Sequence, residues 1–313
     1  MLYCSCSSDQ TAQGLKRFAY GVKNMGIRII TDSGSDIKQE TAGKWGIRVL
    51  PLSVRFGEEE FLDDITLTAD ALYTRMIETG EIPKTSQVPP YIYELAFADA
   101  VKAGDTVICI TLSSGMSGCY QSACIAAKKF GDKVSVIDSL NVCASQYALV
   151  RYAEGMVRMG KSHKEIVQRL ERDVKRLHVI SLVDTLEYVH KGGRLSLIKT
   201  VAGGMLRIKP IITADEEGKV RVLGKARGQR NAFRMFTEFV EEAGGIDFSL
   251  PVCMAYSGLS DENMRLYMKR EAALFEGNES SVHRVQFGAT VGTYSGPGAF
   301  AIGFFHKRIA SFS

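Results

Sequence analysis

Thr111-Leu112-Ser113-Ser114-Gly115-Met116-Ser117-Gly118-Cys119-Tyr120-Gln121-Ser122-Ala123 joins a strand to a helix through a turn crowded with hydroxyls, and the rest of the chain reads as its support. Upstream, Thr106-Val107-Ile108-Cys109-Ile110 is a short apolar, β-branched run. It is too short for a helix and too continuous for a strand with one wet face, so it predicts a buried parallel strand. Downstream, Tyr120, Cys124 and Ala127 recur at helical spacing until Gly131 stops the helix. Strand, Gly/Ser turn and helix N-terminus in that order put free backbone N–H groups and the positive end of a helix dipole at the carboxyl edge of a sheet, where anions bind. One Ser-Gly pair alone is better read as a tight turn and a cap. Three serines and two glycines between positions 113 and 118 shift the reading towards a site.

Composition bounds the class. A chain of 313 residues predicts about two domains, and 45% apolar residues with a mean hydropathy near zero suit a globular protein with ordinary cores. The net charge of +4 comes without any Lys/Arg tract, so nucleic acid is not expected as a partner. No apolar segment approaches the ~20 residues of a membrane span, and any membrane contact is expected to be transient. The first residues lack the apolar region of a signal peptide, which predicts a cytoplasmic protein. Seven cysteines (4, 6, 109, 119, 124, 143, 253) form no C-x-x-C pair and read as reduced thiols in or near the core. Five histidines scatter without metal-ligand spacing, so neither metal nor cofactor is expected.

Residues 1 to 26 show no sustained period and read as a poorly ordered extension. Ile27-Arg28-Ile29-Ile30 predicts the first strand, ending in Thr31-Asp32-Ser33-Gly34-Ser35-Asp36, either a helix-capping loop or the polar edge of a site. Gly46 to Pro51 predicts a second strand, and Leu52 to Phe56 alternates as a half-exposed hairpin strand does. Thr68 is expected to cap a helix with Leu72, Met76 and Ile77 inward, closed by Gly80. A second helix after Pro89-Pro90 shows Tyr91, Leu95 and Ala98 before Gly104. Between them Pro83-Lys84-Thr85-Ser86-Gln87-Val88-Pro89-Pro90 is stiffened by prolines. It reads either as a connector or as an extended segment presenting Thr85 and Ser86 at a fixed place. Lys133 to Ser139 predicts another strand, with a long helix to about Gly160 after it. Ser162-His163-Lys164-Glu165 is a capping box ahead of inward Ile166, Leu170 and Val174. This alternation predicts a parallel, doubly wound α/β domain over 27–180.

After His178 to Val183 the pattern changes. Lys191-Gly192-Gly193-Arg194-Leu195-Ser196 is a glycine turn into an amphipathic segment, and Ile208 to Thr213 with Val220 to Leu223 predicts a hairpin around Glu217-Gly218. A helix with Phe233, Phe236 and Val240, a strand Pro251 to Tyr256, a helix with Met264, Met268 and Ala272, and strands Val282 to Phe287 and Ala299 to Phe305 follow. They predict an α+β domain on a mixed or antiparallel sheet over 181–308. Between the last two strands, Gly292-Thr293-Tyr294-Ser295-Gly296-Pro297-Gly298 reads as a glycine turn that either reverses the chain or approaches a ligand closely.

Gly115-Met116-Ser117-Gly118 begins like the G-x-S-x-G of a serine hydrolase, but Cys119 holds the second glycine position and no histidine is marked as a base. No Gly-Lys-Ser/Thr phosphate loop occurs. What remains is a set of neutral donors (Thr85, Ser86, Ser113, Ser114, Ser117) around a helix N-terminus, enough to hold a carboxylate or phosphate. Three functions follow: a carrier of an anionic ligand, an esterase using Ser117, or a binder of a small phosphorylated metabolite.

Seven segments in this order carry a resemblance: Thr31 to Asp36, Lys84-Thr85-Ser86-Gln87, Ser113 to Ala123, Val136-Ile137-Asp138-Ser139, Lys191 to Ser196, Lys209-Pro210-Ile211 and Gly296-Pro297-Gly298-Ala299. The series, from about Ile27 onward, resembles the DegV family, whose characterised members are FakB-type bacterial fatty-acid-binding proteins. The resemblance implies a two-domain EDD-type fold with a long-chain fatty acid buried between the domains. It implies that the carboxylate meets the hydroxyls matching Thr85 and Ser117, with Ser86, Ser113, Ser114, Tyr294 and Arg194 completing the ligand-binding set. It also implies a non-enzymatic, monomeric carrier whose bound acid is phosphorylated by a separate Dak-like fatty acid kinase, engaged through the arginine matching Arg227. Two positions depart from the family pattern: Cys119 stands where threonine is usual, and Tyr294 where FakB-type members have histidine. Burying about fourteen methylenes at ~0.8 kcal/mol each sets an upper limit near 11 kcal/mol, reduced by association and ordering costs. On that reading the apolar tunnel supplies affinity and the hydroxyls set orientation.

Overall fold

The computed structural model describes residues 26–195, 208–275 and 277–307; the expected N-terminal extension and the segment after Leu195 lie outside them. In chain order the elements are β1 (Ile27–Asp32), α1 (Gln39–Trp45), β2 (Arg48–Leu50), β3 (Ser53–Phe56), β4 (Glu59–Leu62), α2 (Ala69–Thr79), β5 (Lys84–Ser86), α3 (Pro90–Lys102), β6 (Thr106–Thr111), α4 (Cys119–Ala127), β7 (Val134–Asp138), α5 (Cys143–Arg158) and α6 (His163–Asp173). Then come β8 (Leu177–Leu182), α7 (Glu187–Lys191), β9 (Ile208–Ala214), β10 (Val220–Arg227), α8 (Gln229–Glu242), β11 (Cys253–Tyr256), α9 (Glu262–Arg270), β12 (His283–Gln286), α10 (Ala289–Ser295) and β13 (Phe300–Phe305).

Three sheets organise these elements. β2-β1-β6-β7 is all parallel, as the β-branched apolar runs predict. β10-β9-β8-β13-β11-β12 is mixed, with only β11 and β12 parallel. A small antiparallel sheet, β4-β3-β5, stands beside them. The fold is therefore mixed α/β, with a parallel sheet in the N-terminal part and a mixed sheet in the C-terminal part. The change of sheet falls between β7 and β8; a division into two domains near residue 180, inside β8, remains a proposal.

The two large sheets share one core. Ile29, Ile108 and Ile110 of the parallel sheet and Val179, Ala255, Ala301 and Phe305 of the mixed sheet meet across α5. Twelve of its sixteen residues are buried, including Tyr147, Leu149, Val150 and Met156. The first turn of α5 lies directly on Gly303 of β13: a Cβ there would fall 2.2 Å from Ala144 C and Ser145 N. The outer face of the parallel sheet is covered by α3 and α4, and that of the mixed sheet by α8 and α9 through Phe233, Phe236 and Tyr267. Capping follows the sequence closely: Thr68 caps α2, Gly80 closes it in the left-handed conformation, and Ser162 with Glu165 forms the capping box of α6.

Several local expectations are corrected. α3 buries Ile92, Tyr93, Ala96, Phe97 and Ala100, not the stripe of Tyr91 and Leu95, which are 58% and 52% exposed. The helix is apolar on two sides, and the sheet takes the side with two adjacent rings. Ile77 points outward, and Ala272 lies exposed beyond the end of α9. α4 buries Cys119, Ser122, Ala123 and Ala126 and ends at Ala127, before Gly131. The proline-flanked segment at Thr85 is a strand, β5, paired with β3. Tyr294 stands on a helix, α10, closed by Gly296 at φ 63°, where a simple glycine turn was expected.

Candidate functional site

A cavity of about 380 Å³, partly open to solvent, lies where the carboxyl edge of the parallel sheet faces the mixed sheet. This is within the range of small-ligand sites. Its body is lined by Leu112 just after β6, Val142 just before α5, Val179, Ile212 and Val220 of the mixed sheet, and Val291 of α10. The polar residues along this body are already committed. Ser181 Oγ donates to Phe300 O (3.2 Å), Thr213 Oγ1 to Val179 O (2.6 Å) and Ser295 Oγ to Gly296 O (3.2 Å), while Thr290 Oγ1 meets Ser33 Oγ (3.3 Å). With those protons used on the protein, the body offers a ligand little but hydrocarbon contact.

One end differs. Thr85 on β5 and Tyr294 on α10 share a hydrogen bond of 2.6 Å between hydroxyls. Two hydroxyls carry two protons and this bond uses one, so the pair retains a donor. Ser117, ahead of α4, lines the same end; its Oγ accepts from Cys119 N–H (3.3 Å). Arg194 brings the one charged side chain on the cavity wall among the described residues. Its Nε donates to Met116 O (3.1 Å) and its Nη1 to Gly192 O (2.8 Å), and its guanidinium lies 4.9 Å from the centre of the Tyr294 ring. Gly192 permits this stack, because a Cβ there would fall 2.4 Å from the Tyr294 ring. The end is therefore a donor-rich, positively charged cap on an apolar cavity, a geometry that suits an anion with a hydrocarbon tail.

The structure brings Thr85, Ser117, Tyr294 and Arg194 together, with Ser86 exposed at the rim. It does not bring Ser113 or Ser114 to the cavity. Ser113 Oγ donates to Gly218 O at the tip of the β9–β10 hairpin (2.7 Å), and Gly115 sits against the same tip, 2.5 Å from Glu217 O to an added Cβ. Ser114 is exposed and its N–H is held by Asp138 Oδ1 (3.1 Å). Ser113 is thus a latch between the two large sheets, Ser114 is tied within the parallel one, and neither lines the cavity. Arg227, at the end of β10, is exposed and away from the cavity wall. Sequence reading missed Thr290 on α10 and Asp63 behind it, and it quoted Asp36 and Gln87 within motifs without giving Asp36 its contact with Gly288 or Gln87 its place over Gly118. No spacing marks them, since each depends on a partner far along the chain.

None of the histidines lines the cavity, and burial pushes the Cys119 thiol up to about 12 and that of Cys143 well above its ordinary value. Among the described residues the wall thus carries no histidine base for Ser117 and no group poised as a thiolate. No cluster of three His, Cys, Asp or Glu side chains suited to a metal occurs among the described residues, and no helix there is long and apolar enough to cross a membrane.

Behind Ser117, Asp32 is buried at the end of β1 and accepts from Gly34 N–H (3.1 Å), Gln146 Nε2 (3.0 Å) and Leu112 N–H (2.9 Å). Burial outweighs these donors and raises its pKa to about 6. A raised carboxyl binds its proton more tightly in the native chain than in the unfolded one, where it titrates near 3.9. Its contribution to stability is complete below about pH 4 and is lost as pH rises through 6. Between pH 4 and 7 the wild type is therefore expected to lose more unfolding free energy in urea than Asp32→Asn does. Equal losses would show that Asp32 does not titrate in this window.

Two sheets enclosing an apolar cavity with a donor-rich cap define a small-molecule-binding protein of α/β class. A model of an uncharacterised protein family named DegV matches residues 26–307, and the chain belongs to that family. A DegV domain-containing protein of Caldanaerobacter subterraneus is 34% identical over 285 residues, 90% of this chain and 99% of that one. Among solved structures, one described as fatty acid binding of a DegV family protein from Thermus thermophilus aligns with a TM-score of 0.80 at 27% identity, over 90% of this chain and 100% of that one. DegV of Bacillus subtilis, described as a fatty acid binding protein, aligns with a TM-score of 0.75 at 30% identity, over 90% and 100%.

Proposed function

We propose that this chain is a carrier of long-chain fatty acids, which lie in the cavity between the two large sheets with the carboxylate towards Thr85, Ser117, Tyr294 and Arg194. The observation that carries the reading is the gathering of uncommitted donors and of one guanidinium at a single end of an otherwise apolar cavity. Relatives described as fatty acid binding at 27% and 30% identity support it. An esterase reading lacks a base beside Ser117, and a small phosphorylated metabolite would leave the apolar body unfilled. Organic extraction of the purified protein followed by mass spectrometry tests the proposal. A stoichiometric fatty acid is expected; an empty protein that hydrolyses esters only while Ser117 is present would overturn it.

The family resemblance adds a second step, phosphorylation of the bound acid by a separate kinase engaged through Arg227. Tyr294 bears on that step: it keeps a donor at the carboxylate but lacks the positive charge a histidine acquires there. Acyl-phosphate formation with a partner kinase is expected to be slow and to rise in Tyr294→His. A rate that the substitution leaves unchanged would remove this account of position 294.

A further inference from the structure

α10 has seven residues, and its leading N–H groups are met by carboxylates from the other end of the chain. Gly288 N–H donates to Asp36 Oδ1 (2.8 Å), Ala289 N–H to Asp63 Oδ1 (2.8 Å) and Thr290 N–H to Asp63 Oδ2 (3.0 Å). Asp36 follows β1 and Asp63 follows β4, so N-terminal residues grip a C-terminal helix. Both are buried, at 5% and 1% exposure. Midway along α10, Gly292 is seated on α2 so closely that a Cβ would fall 2.6 Å from the Tyr73 hydroxyl. One turn beyond the carboxylates, Tyr294 reaches Thr85.

Burying two like carboxyl groups is costly: burial pushes Asp36 well above its ordinary pKa and raises that of Asp63, where hydrogen bonds from Ser33, Ala289 and Thr290 oppose it. Apolar packing would hold a short helix against α2 equally well. A carboxylate bound through both oxygens to successive N–H groups does something packing does not: it fixes the rotation of the helix about its axis, and so the direction of every side chain on it. We infer that Asp63, assisted by Asp36, is a positioning residue for the anion-binding end of the cavity. By capping α10 it aims Tyr294 at Thr85 and links recognition of the ligand's head group to docking of the C-terminal part on the N-terminal part. The inference rests on the fatty-acid reading for its functional meaning.

The test compares palmitic acid with hexadecanol, the same chain without the charge, on wild type, Asp63→Asn, Tyr294→Phe and the double variant. Asp63→Asn keeps the shape but turns an amide N–H₂ towards a backbone donor. Because a hydrogen bond to a charged group is worth more than one to a neutral group, Asp63→Asn is expected to weaken palmitate about 5-fold and hexadecanol less than about 2-fold. In a Tyr294→Phe background it adds nothing, since its effect runs through Tyr294. Equal weakening of acid and alcohol, or effects that multiply in the double variant, would overturn the inference. Should Asp63→Asn fail to fold, Asp36→Asn, which keeps an acceptor for Gly288 N–H, carries the same comparison. A wild type that binds neither lipid refutes the fatty-acid reading, and the inference is then read in ligand-free protein. There Asp63→Asn must speed amide hydrogen exchange in α10 and, through Thr85, in β5; unchanged exchange in β5 overturns it.

Discussion

Gly303→Ala is expected to destabilise this protein by about 3 kcal/mol, the upper part of the range for overpacking a core. The added methyl would meet backbone on the opposite side, Ala144 C and Ser145 N at 2.2 Å, and backbone cannot swing aside as a side-chain tip does. β13 is a central strand of the mixed sheet and α5 is packed on the parallel sheet as well, so a shift of either disturbs the core shared by both. Gly155 on the same helix has open space around its Cβ position; Gly155→Ala is expected to stabilise by about 0.5 to 1 kcal/mol through helix propensity. Urea unfolding of the two variants gives the comparison. A cost below about 1 kcal/mol at Gly303 would mean that helix and strand are not in the contact described.

The double variant Thr85→Ala/Ser117→Ala is expected to lose fatty acid affinity by about 100-fold or more. Each hydroxyl that donates to a carboxylate contributes roughly 1.5 to 3 kcal/mol, and the two stand on different elements, β5 and the turn before α4, so their losses largely add. Tyr294→Phe alone is expected to cost less than either single change, because Thr85 retains its own proton. Fluorescent displacement titration measures all of these. A double variant that binds within about 3-fold of wild type would place the carboxylate elsewhere in the cavity.

Much of the fold was legible because it rests on local signals. Continuous β-branched runs marked β1, β6 and β7, Glu217-Gly218 marked the β9–β10 turn, and Ser162 with Glu165 marked the start of α6. What escaped depends on partners distant in sequence. α3 has two apolar stripes, and only the sheet beneath it decides which is buried. β5 is three residues long and exists because β3 offers it an edge. α10 holds Gly292 inside and Gly296 at its end, so its composition imitates a turn; the inner glycine is required by Tyr73 of α2. The site divided the same way. Thr85, Ser117, Tyr294 and Arg194 could be named from motif order, but Ser113 looked like a further donor beside a helix N-terminus. Its true partner, Gly218, stands 105 residues away, and no local pattern separates a latch from a ligand.

The sharing of α5 by both large sheets has a consequence for synthesis. When α5 has left the ribosome, the parallel sheet on one of its sides is nearly complete, while β13 on the other side is about 150 residues from being made. At about 5 to 20 residues per second that interval is roughly 8 to 30 s. β8 follows α5 closely in the chain, but the part of that side that will meet β13 lacks its native cover throughout the interval. The nascent chain therefore carries part of this apolar ridge uncovered through nearly half of its translation, and its yield in cells depends on what shields that ridge as well as on the stability of the finished fold.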